Sequence, residues 1–190
     1  MTYQRIAPKD LNNLTSSASD VLKNIPGDGL KGIYSPVNIL GTLLYGEKLL
    51  GDFLTYWVNS KNNMSLSVKE QELIILRMGF HYKCDYVWKH HIPVAIEFGI
   101  TSEQQLELKI KDFNQHKFDQ VEATLIRICD EMIETKNVAD KSWREAMNIL
   151  SANQVIDLIH LVGQYVIFAL TNNVFKVEVE SSLKDFSSVQ

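Results

Sequence analysis

Thiol and imidazole groups concentrate in one short segment, residues 80–91, which reads FHYKCDYVWKHH. The segment holds one of the two cysteines and three of the five histidines of the 190-residue chain. On a helix that turns about 100° per residue, Cys84, Trp88 and His91 fall on one face. At about 1.5 Å of rise per residue, Cys84 and His91 lie roughly 10 Å apart along the axis, too far for a direct hydrogen bond. A site that uses both groups therefore needs a third element, a substrate or a water between them. Alternatively, Cys84 simply packs beside Trp88 on an apolar face.

Glu72 supplies a carboxylate twelve residues before Cys84. Its helical neighbours at i−4, i+3, i+4 and i+7 are Val68, Ile75, Leu76 and Gly79. A carboxylate inside such an apolar stripe needs a partner or a raised pKa, because burying an isolated charge is costly. Glu72 and His91 are therefore candidates for a proton relay to Cys84, whose thiolate the start of a helix would favour. Tyr86 lies nearby and is a candidate proton donor.

Three further side chains are candidates for binding a substrate. Trp88 shares the face of Cys84, while His160 and Gln164 follow Asp157 at i+3 and i+7 on the apolar last helix. This polar row either lines the same cavity or forms hydrogen bonds across a subunit interface. His90, by contrast, points away from this face and is expected to be solvated.

Composition and missing motifs exclude several classes of function. A net charge of -4 without a basic run argues against a nucleic-acid or anionic membrane partner. No metal site is expected, because the chain has no H-x-x-x-H or C-x-x-C pair. No cofactor is expected either, since glycine-rich phosphate loops and the G-x-S-x-G elbow are missing. Residues 155–170 are apolar but fall short of the roughly 20 residues of a membrane span. We expect a cytoplasmic protein whose two cysteines stay reduced.

Helical periodicity and capping patterns predict an all-α fold in one domain spanning residues 1–190. Ser67 with Glu70, Ser102 with Gln105, and Ser151 with Gln154 have the spacing of helix caps. Gly99 is expected to end the cysteine-containing helix. The tail 181–190 is expected to be frayed or to serve as an oligomer arm. The predicted helices lie near 10–24, 37–59, 67–80, 84–98, 119–135, 141–149 and 151–174, and another short helix begins at Ser102.

The segment ELIILRMGFHYKCDYVWKHHIPVAIEFGIT, residues 72–101, resembles the carboxymuconolactone decarboxylase superfamily, which includes the AhpD-type alkylhydroperoxidases. The similarity lies in E-L-x-I-L-R, in C-x-Y-x-W-x-x-H and in A-x-x-x-G-[IL]-[ST], and it extends over roughly residues 35–175. It leaves 1–34 as an N-terminal extension and 176–190 as a C-terminal tail. The resemblance implies an AhpD-like all-α fold that forms homo-oligomers (dimers, trimers or hexamers) through helical interfaces.

AhpD-type members reduce hydroperoxides with a C-x-x-C pair, and a lipoyl partner restores the reduced state. By this resemblance, Glu72, Cys84 and His91 match the relay glutamate, the first cysteine and the trailing histidine, and Tyr86 stands where another histidine is usual. Val87 replaces the second cysteine, which attacks the peroxide in that mechanism. A dithiol cycle at this motif is therefore impossible, although a small thiol reductant could serve a single-cysteine cycle.

The sequence leaves three functions open. The first is peroxiredoxin-like reduction of a hydroperoxide, with Cys84 as thiolate and with Glu72, His91 and Tyr86 moving protons. The second is a cofactor-free decarboxylase or isomerase that acts on a lactone acid, with His91 as base and Glu72 orienting it. Arg77, otherwise expected on a solvated face with Glu70, or Lys83 would bind the substrate carboxylate in this case. The third is a non-catalytic oligomeric binding protein that retained the frame.

Overall fold

The structure, a computed structural model, describes residues 4–11 and 37–189. These residues form eight α-helices and three short 3₁₀ turns, without a strand, which confirms the predicted all-α class. The helices are α1 (Val37–Leu43), α2 (Glu47–Asn63), α3 (Val68–His81), α4 (Asp85–Glu97), α5 (Ser102–Glu107), α6 (Gln120–Thr135), α7 (Asp140–Ala146) and α8 (Ala152–Phe175). The helix expected near 10–24 lies outside the described residues.

Helix ends follow the predicted chemistry with two exceptions. Ser67 and Ser151 form capping boxes with Glu70 and Gln154, as predicted. The cap predicted at Ser102 is wrong by one residue, because Thr101 has the extended backbone of an N-cap and its side chain accepts from the Gln104 N–H. The single helix predicted over 37–59 is also wrong, because a 3₁₀ turn at Leu44–Gly46 separates α1 from α2.

Helix α3 is the centre of the fold and packs against α4, α6 and α8. Every residue from Gln71 to Gly79 is buried, so this helix has no solvated face along its middle. Gly79 brings α3 close to α4, since a Cβ at this position would lie 3.4 Å from the backbone nitrogen of Trp88. The polar side chains of α3 must therefore find partners inside the protein.

A tight turn, Tyr82–Cys84, joins α3 to α4. Lys83 takes a left-handed backbone conformation (φ 47°), and the Cys84 N–H donates to the Gly79 carbonyl at 2.9 Å. This geometry makes Cys84 the residue directly before α4. Gly99, with φ 83°, follows the other end of α4, as the sequence predicted.

The C-terminal tail, residues 176–189, packs on the protein, so the expectation of a frayed tail is wrong, whereas a role as an oligomer arm stays a prediction. Leu183 is fully buried, and the Val189 N–H donates to Asp85 at 2.9 Å. The Lys89 ammonium donates to the carbonyl of Lys184 at 3.2 Å. The apolar residues within this polar segment hold it against α4. This packing places the carboxylates of the tail near the start of α4.

Helix α8 is the most apolar element. By length and composition alone it could cross a membrane, but 44% of its most apolar stretch is buried inside the protein. Leu158, Leu161 and Tyr165 all contribute to the core. The helix therefore contributes part of its apolar surface to the core of the protein.

Candidate functional site

Glu72 of α3 and His91 of α4 form a close pair. Glu72 Oε2 lies 2.6 Å from His91 Nδ1, and the Glu72 side chain is fully buried. The pair forms because α3 and α4 pack side by side, which turns the carboxylate within an apolar stripe toward the second helix. This arrangement fixes the imidazole ring, with Nδ1–H donated to the carboxylate and Nε2 left for chemistry.

Burial and charge set the protonation states of this pair. Burial alone would raise the pKa of the Glu72 carboxyl, but His91 and the Lys61 ammonium outweigh it and lower that pKa. Burial lowers the pKa of His91, against the opposing charge of Glu72. Near neutral pH the pair is therefore a carboxylate beside a neutral imidazole, which is the state of a general base.

The second nitrogen of His91 meets Tyr165 of α8. The Tyr165 hydroxyl lies 3.1 Å from His91 Nε2 and donates to it. Burial and the Glu72 charge raise the pKa of Tyr165, so its hydroxyl remains protonated. Glu72, His91 and Tyr165 thus form one hydrogen-bonded chain across three helices.

This chain opens on a cavity of about 300 Å³. His91, Tyr165 and Lys61 line it among mainly apolar and aromatic side chains. The Lys61 ammonium lies 3.4 Å from Glu72 Oε1. The cavity therefore combines an apolar enclosure, a base and a cation, which together suit a small organic anion.

Cys84 lies outside this lining. Its side chain is fully buried among core residues, whereas Val87, at the position of the absent second cysteine, forms part of the cavity wall. Burial raises the pKa of the Cys84 thiol to about 11, although the backbone N–H groups of Tyr86 and Val87 favour the thiolate. The helix start therefore does not give Cys84 the low pKa typical of reactive cysteines.

Tyr86 belongs to a second cluster at the same cavity. Its hydroxyl donates to Glu180 Oε1 at 2.8 Å and accepts the Ile39 N–H at 3.2 Å. His90 Nε2 lies 2.6 Å from Glu180 Oε2, and the His90 ring stacks on that of Tyr86. The expectation that His90 is solvated is wrong, since it is only 8% exposed and lines the cavity.

The three candidate binding residues lie away from the cavity lining. Trp88 is fully buried beneath Lys109, whose ammonium lies 4.8 Å from the indole ring centre. Gln164 donates to Ser60 Oγ at 2.6 Å, and the exposed His160 bonds to the Tyr56 hydroxyl. The polar row of α8 thus ties this helix to α2 within one chain.

Arg77 has a structural role, so the expectation of a solvated side chain is wrong. Its guanidinium is fully buried, binds both oxygens of Asp130 at 2.7 Å and donates to the carbonyls of Leu108, Ile110 and Lys111. These five hydrogen bonds use its donors and leave none for a substrate carboxylate. Lys83 lines a separate groove beside His81, so neither expected cation reaches the cavity.

Lys61, His90, Tyr165 and Glu180 are functional candidates that sequence reasoning missed. The adjacent histidines carried a partial signal, because two neighbouring helix positions about 100° apart can both line a wide cavity. Tyr165 lies next to Gln164, a binding candidate on the same helix. Nothing in the sequence connects Glu180 with His90, since 90 residues separate them.

The sequence model of the carboxymuconolactone decarboxylase family matches residues 49–109. No curated protein matches the chain. Among solved structures, the apo debrominase Bmp8 aligns with a TM-score of 0.73 at 11% identity, over 94% of each chain. A cysteine-to-alanine variant of Bmp8 in complex with 2,3,4-tribromopyrrole aligns equally well, at 11% identity over 96% of this chain and 95% of that one.

An uncharacterized peroxidase-related protein from Silicibacter sp. TM1040 aligns over 100% of both chains, with a TM-score of 0.75 at 13% identity. These likenesses confirm the AhpD-like helical fold. The matched segment 49–109 contains Glu72, Cys84 and His91, so the similarity to the carboxymuconolactone decarboxylase family includes the part of the chain that holds these candidate residues.

Proposed function

We propose that this protein is a cofactor-free acid/base enzyme that decarboxylates or isomerises a small carbonyl-containing acid, such as a lactone acid. His91 is the base, and Glu72 orients its ring and balances its charge. The proposal depends chiefly on the 2.6 Å contact between Glu72 and His91 at a cavity of about 300 Å³. A positioned imidazole of this kind contributes about 10²–10⁴-fold to the rate of proton transfer.

The reaction begins at His91 Nε2, the ring nitrogen that Glu72 does not hold. A substrate carbon next to a carbonyl gives its proton to Nε2 in place of the Tyr165 hydroxyl, and the C–H electron pair moves into an enolate. Return of the proton at another carbon completes an isomerisation. In a decarboxylation, the substrate carboxylic acid first gives its proton to His91 Nε2, the C–C electron pair moves into an enolate as carbon dioxide leaves, and Nε2 then returns the proton to carbon. Both routes therefore start and end with a neutral imidazole and pass through a protonated one, whose charge Glu72 balances.

Lys61 is the proposed partner of the substrate carboxylate. It lines the cavity on the Glu72 side, and within the described part of the chain its ammonium is held only by the 3.4 Å contact with that carboxylate. Asn172 also lines the cavity, and its side-chain oxygen is buried without a hydrogen-bond partner in residues 4–11 and 37–189. A substrate hydroxyl would satisfy this acceptor.

Proton exchange in D₂O tests the proposal whichever product the reaction forms. Proton NMR would follow the C–H signals of 4-carboxymuconolactone and of the stable lactone acid 5-oxotetrahydrofuran-2-carboxylate. We expect the wild-type protein to exchange or convert one of them, and His91→Ala to reduce the rate by about 10²–10⁴-fold. His116→Ala is a matched control, because His116 is exposed. Activity that survives His91→Ala would contradict the proposal.

A thiol-based reduction of hydroperoxides is the second candidate. Its support is the Cys84 position before α4, where the N–H groups of Tyr86 and Val87 favour a thiolate. In this reaction the thiolate would attack the peroxide, release an alcohol and form a sulfenate, which a small thiol would reduce. Peroxide consumption with dithiothreitol that Cys84→Ala abolishes, and that Val87→Ala preserves, would favour this candidate.

We also propose that the protein is cytoplasmic and associates with itself through the outer face of α8. Both cysteines are free thiols, as in reducing compartments. The exposed residues Ile156, Ile159, Ile167, Leu170 and Val174 follow one another at helical spacing along this face. Light scattering should report an oligomer, and Ile167→Glu should shift it toward a monomer, whereas an unchanged mass would contradict the α8 interface.

A further inference from the structure

His90 and His91 occupy adjacent positions of α4 and line the same cavity, yet different carboxylates hold them. Glu72 of α3 holds His91 through Nδ1, and Glu180 of the C-terminal tail holds His90 through Nε2. Both contacts are 2.6 Å. The cavity therefore has two imidazole–carboxylate pairs, and opposite ring nitrogens remain available in the two histidines.

Glu180 is positioned as firmly as Glu72. Its carboxylate accepts hydrogen bonds from the Asn38 N–H at 2.9 Å, the Tyr86 hydroxyl at 2.8 Å and the His90 ring. Burial alone would raise the pKa of Glu180, but the hydrogen bond from His90 and the other donors lower it. Glu180 is thus a carboxylate that stabilises positive charge on the His90 ring.

We propose that His90 is the second proton-transfer group of the cavity and that Glu180 is its positioning residue. This inference rests on the function proposed above. His91 works at the substrate carbon, while His90 gives a proton to the substrate oxygen on which charge develops. Its Nδ1 is suited to this task, since that nitrogen has no hydrogen-bond partner among residues 4–11 and 37–189.

His91 and His90 act on different substrate atoms in one enolisation. The C–H bond breaks and its proton moves to His91 Nε2, while its electron pair forms the new carbon–carbon double bond. The carbonyl π electrons move to oxygen, which takes the Nδ1 proton of a His90 ring that enters the cycle protonated on both nitrogens. His90 is left neutral, with Nε2–H still donated to Glu180, and the steps reverse when the product regains its carbonyl. No oxidant, reductant or metal enters this balance.

Tyr86 supports this assignment from beneath the ring. Its hydroxyl is committed to Glu180 and to the Ile39 N–H, so it orients the carboxylate instead of reaching a substrate. Burial, followed by the Glu180 charge, raises the pKa of Tyr86, which keeps the hydroxyl a donor. The role of proton donor, which the sequence suggested for Tyr86, therefore falls to His90.

The rate of acylation by diethyl pyrocarbonate measures the reactivity of each of the two histidine rings without requiring turnover. At pH 8 the reagent attacks neutral imidazole, and fragment mass spectra distinguish His90 from His91. We expect Glu180→Gln to slow acylation of His90 at least threefold and to leave His91 unchanged, because the hydrogen bond from Nε2–H to Glu180 holds the neutral ring in the tautomer that presents the Nδ1 lone pair to the reagent. Glu72→Gln should show the reverse pattern. Glu178→Gln is the matched control, since this exposed tail residue loses the same charge.

Steady-state kinetics on whichever lactone acid undergoes His91-dependent exchange complete the test. His90→Gln should reduce kcat by about 10²–10⁴-fold with a small change in KM. Glu180→Gln should reduce kcat at least tenfold, again with little change in KM, whereas Glu178→Gln should change neither constant. A role limited to holding the tail would instead raise KM and lower Tm together.

Three results would overturn the inference: His90 that is acylated only after unfolding, an equal His90 rate in wild type and Glu180→Gln, or full kcat in His90→Gln. Wild-type protein that exchanges neither lactone acid would overturn the proposed function and, with it, the part of His90 in that reaction. The acylation rates would then still report whether Glu180 activates His90 at the cavity. The two failures are thus distinguishable.

Discussion

The start and the middle of helix α4 place reactive side chains in different surroundings. At the start of the helix, the Cys84 sulfur is fully buried among core residues, and burial raises the pKa of the thiol to about 11. Two turns later, His90 and His91 are also largely buried, but each faces a carboxylate at 2.6 Å and lines a cavity. Burial disfavours the thiolate form of Cys84, whereas His90 and His91 are buried beside carboxylates that hold their rings in place.

The cysteine and the two histidines differ in whether a charged partner faces them. A group buried among apolar atoms loses its charged form, because nothing replaces the water that stabilised it. An imidazole held by a carboxylate keeps a defined tautomer and can carry a proton in either direction. The comparison therefore favours the imidazoles over the thiol as the reactive groups of this helix, in line with the function proposed above.

The largest expected effect is on catalysis. His91→Ala should reduce turnover of the lactone acid by about 10²–10⁴-fold. Cys84→Ala should change turnover less than threefold, since the thiol does not line the cavity. Steady-state rates of the two variants, with circular dichroism to confirm folding, make the measurement. Equal losses of turnover in both variants would contradict the distinction between the buried thiol of Cys84 and the cavity-lining imidazole of His91.

Thiol alkylation should reveal the next effect. A pKa raised from 9.0 to about 11 implies roughly 100-fold less thiolate near neutral pH, so iodoacetamide should modify Cys84 at least that much more slowly than an ordinary thiol. Intact-protein mass spectrometry against free cysteine measures this ratio. Rapid modification of native Cys84 would revive the thiol-based candidate.

The Val87→Cys variant compares a thiol on the cavity wall with the buried Cys84 thiol within one chain. Val87 lines the cavity, so a thiol at this position should be alkylated at least tenfold faster than Cys84. Peptide mapping after partial alkylation compares the two sites directly, and Val87→Ala serves as the control for packing. Equal rates at the two cysteines would show that the cavity wall gives no greater access than the core.

The smallest expected effect is the pH dependence of stability. The folded-state pKa values of His91 and Glu72 both lie below their unfolded values, which for histidine is about 6.5. The unfolded chain then binds more protons, so the stability from this pair is complete above about pH 6.5 and falls as pH decreases, first through His91 and then through Glu72. Urea unfolding between pH 8 and pH 4 should show this loss in wild type and less of it in His91→Phe.

Local patterns sufficed to predict much of the fold and one half of the candidate site. The capping boxes at Ser67 and Ser151 depend on residues three apart, and their prediction needs no tertiary structure. The pairing of Glu72 with His91 agrees with the prediction that a carboxylate inside an apolar stripe needs a partner or a raised pKa, since the next helix supplies the partner.

Long-range partners account for what the sequence did not predict. Arg77 has the look of a solvated residue on its own helix, but its partner Asp130 is 53 residues away. His90 and Glu180 are separated still further, and the tail that carries Glu180 is polar enough to appear unstructured. The fate of Cys84 depended on packing density around the helix start, which sequence spacing does not specify.

The C-terminal tail has a practical consequence for the boundaries of this protein. The segment that marks the family ends at residue 109, whereas Tyr165 and Glu180 complete the two hydrogen-bonded clusters from far beyond it. Trimming the chain to the recognisable motif would remove the cavity-lining residues of α8 and the carboxylate that holds His90, while leaving Glu72, Cys84 and His91 in place. Activity measurements on this protein should therefore use a chain that retains its residues beyond the matched segment.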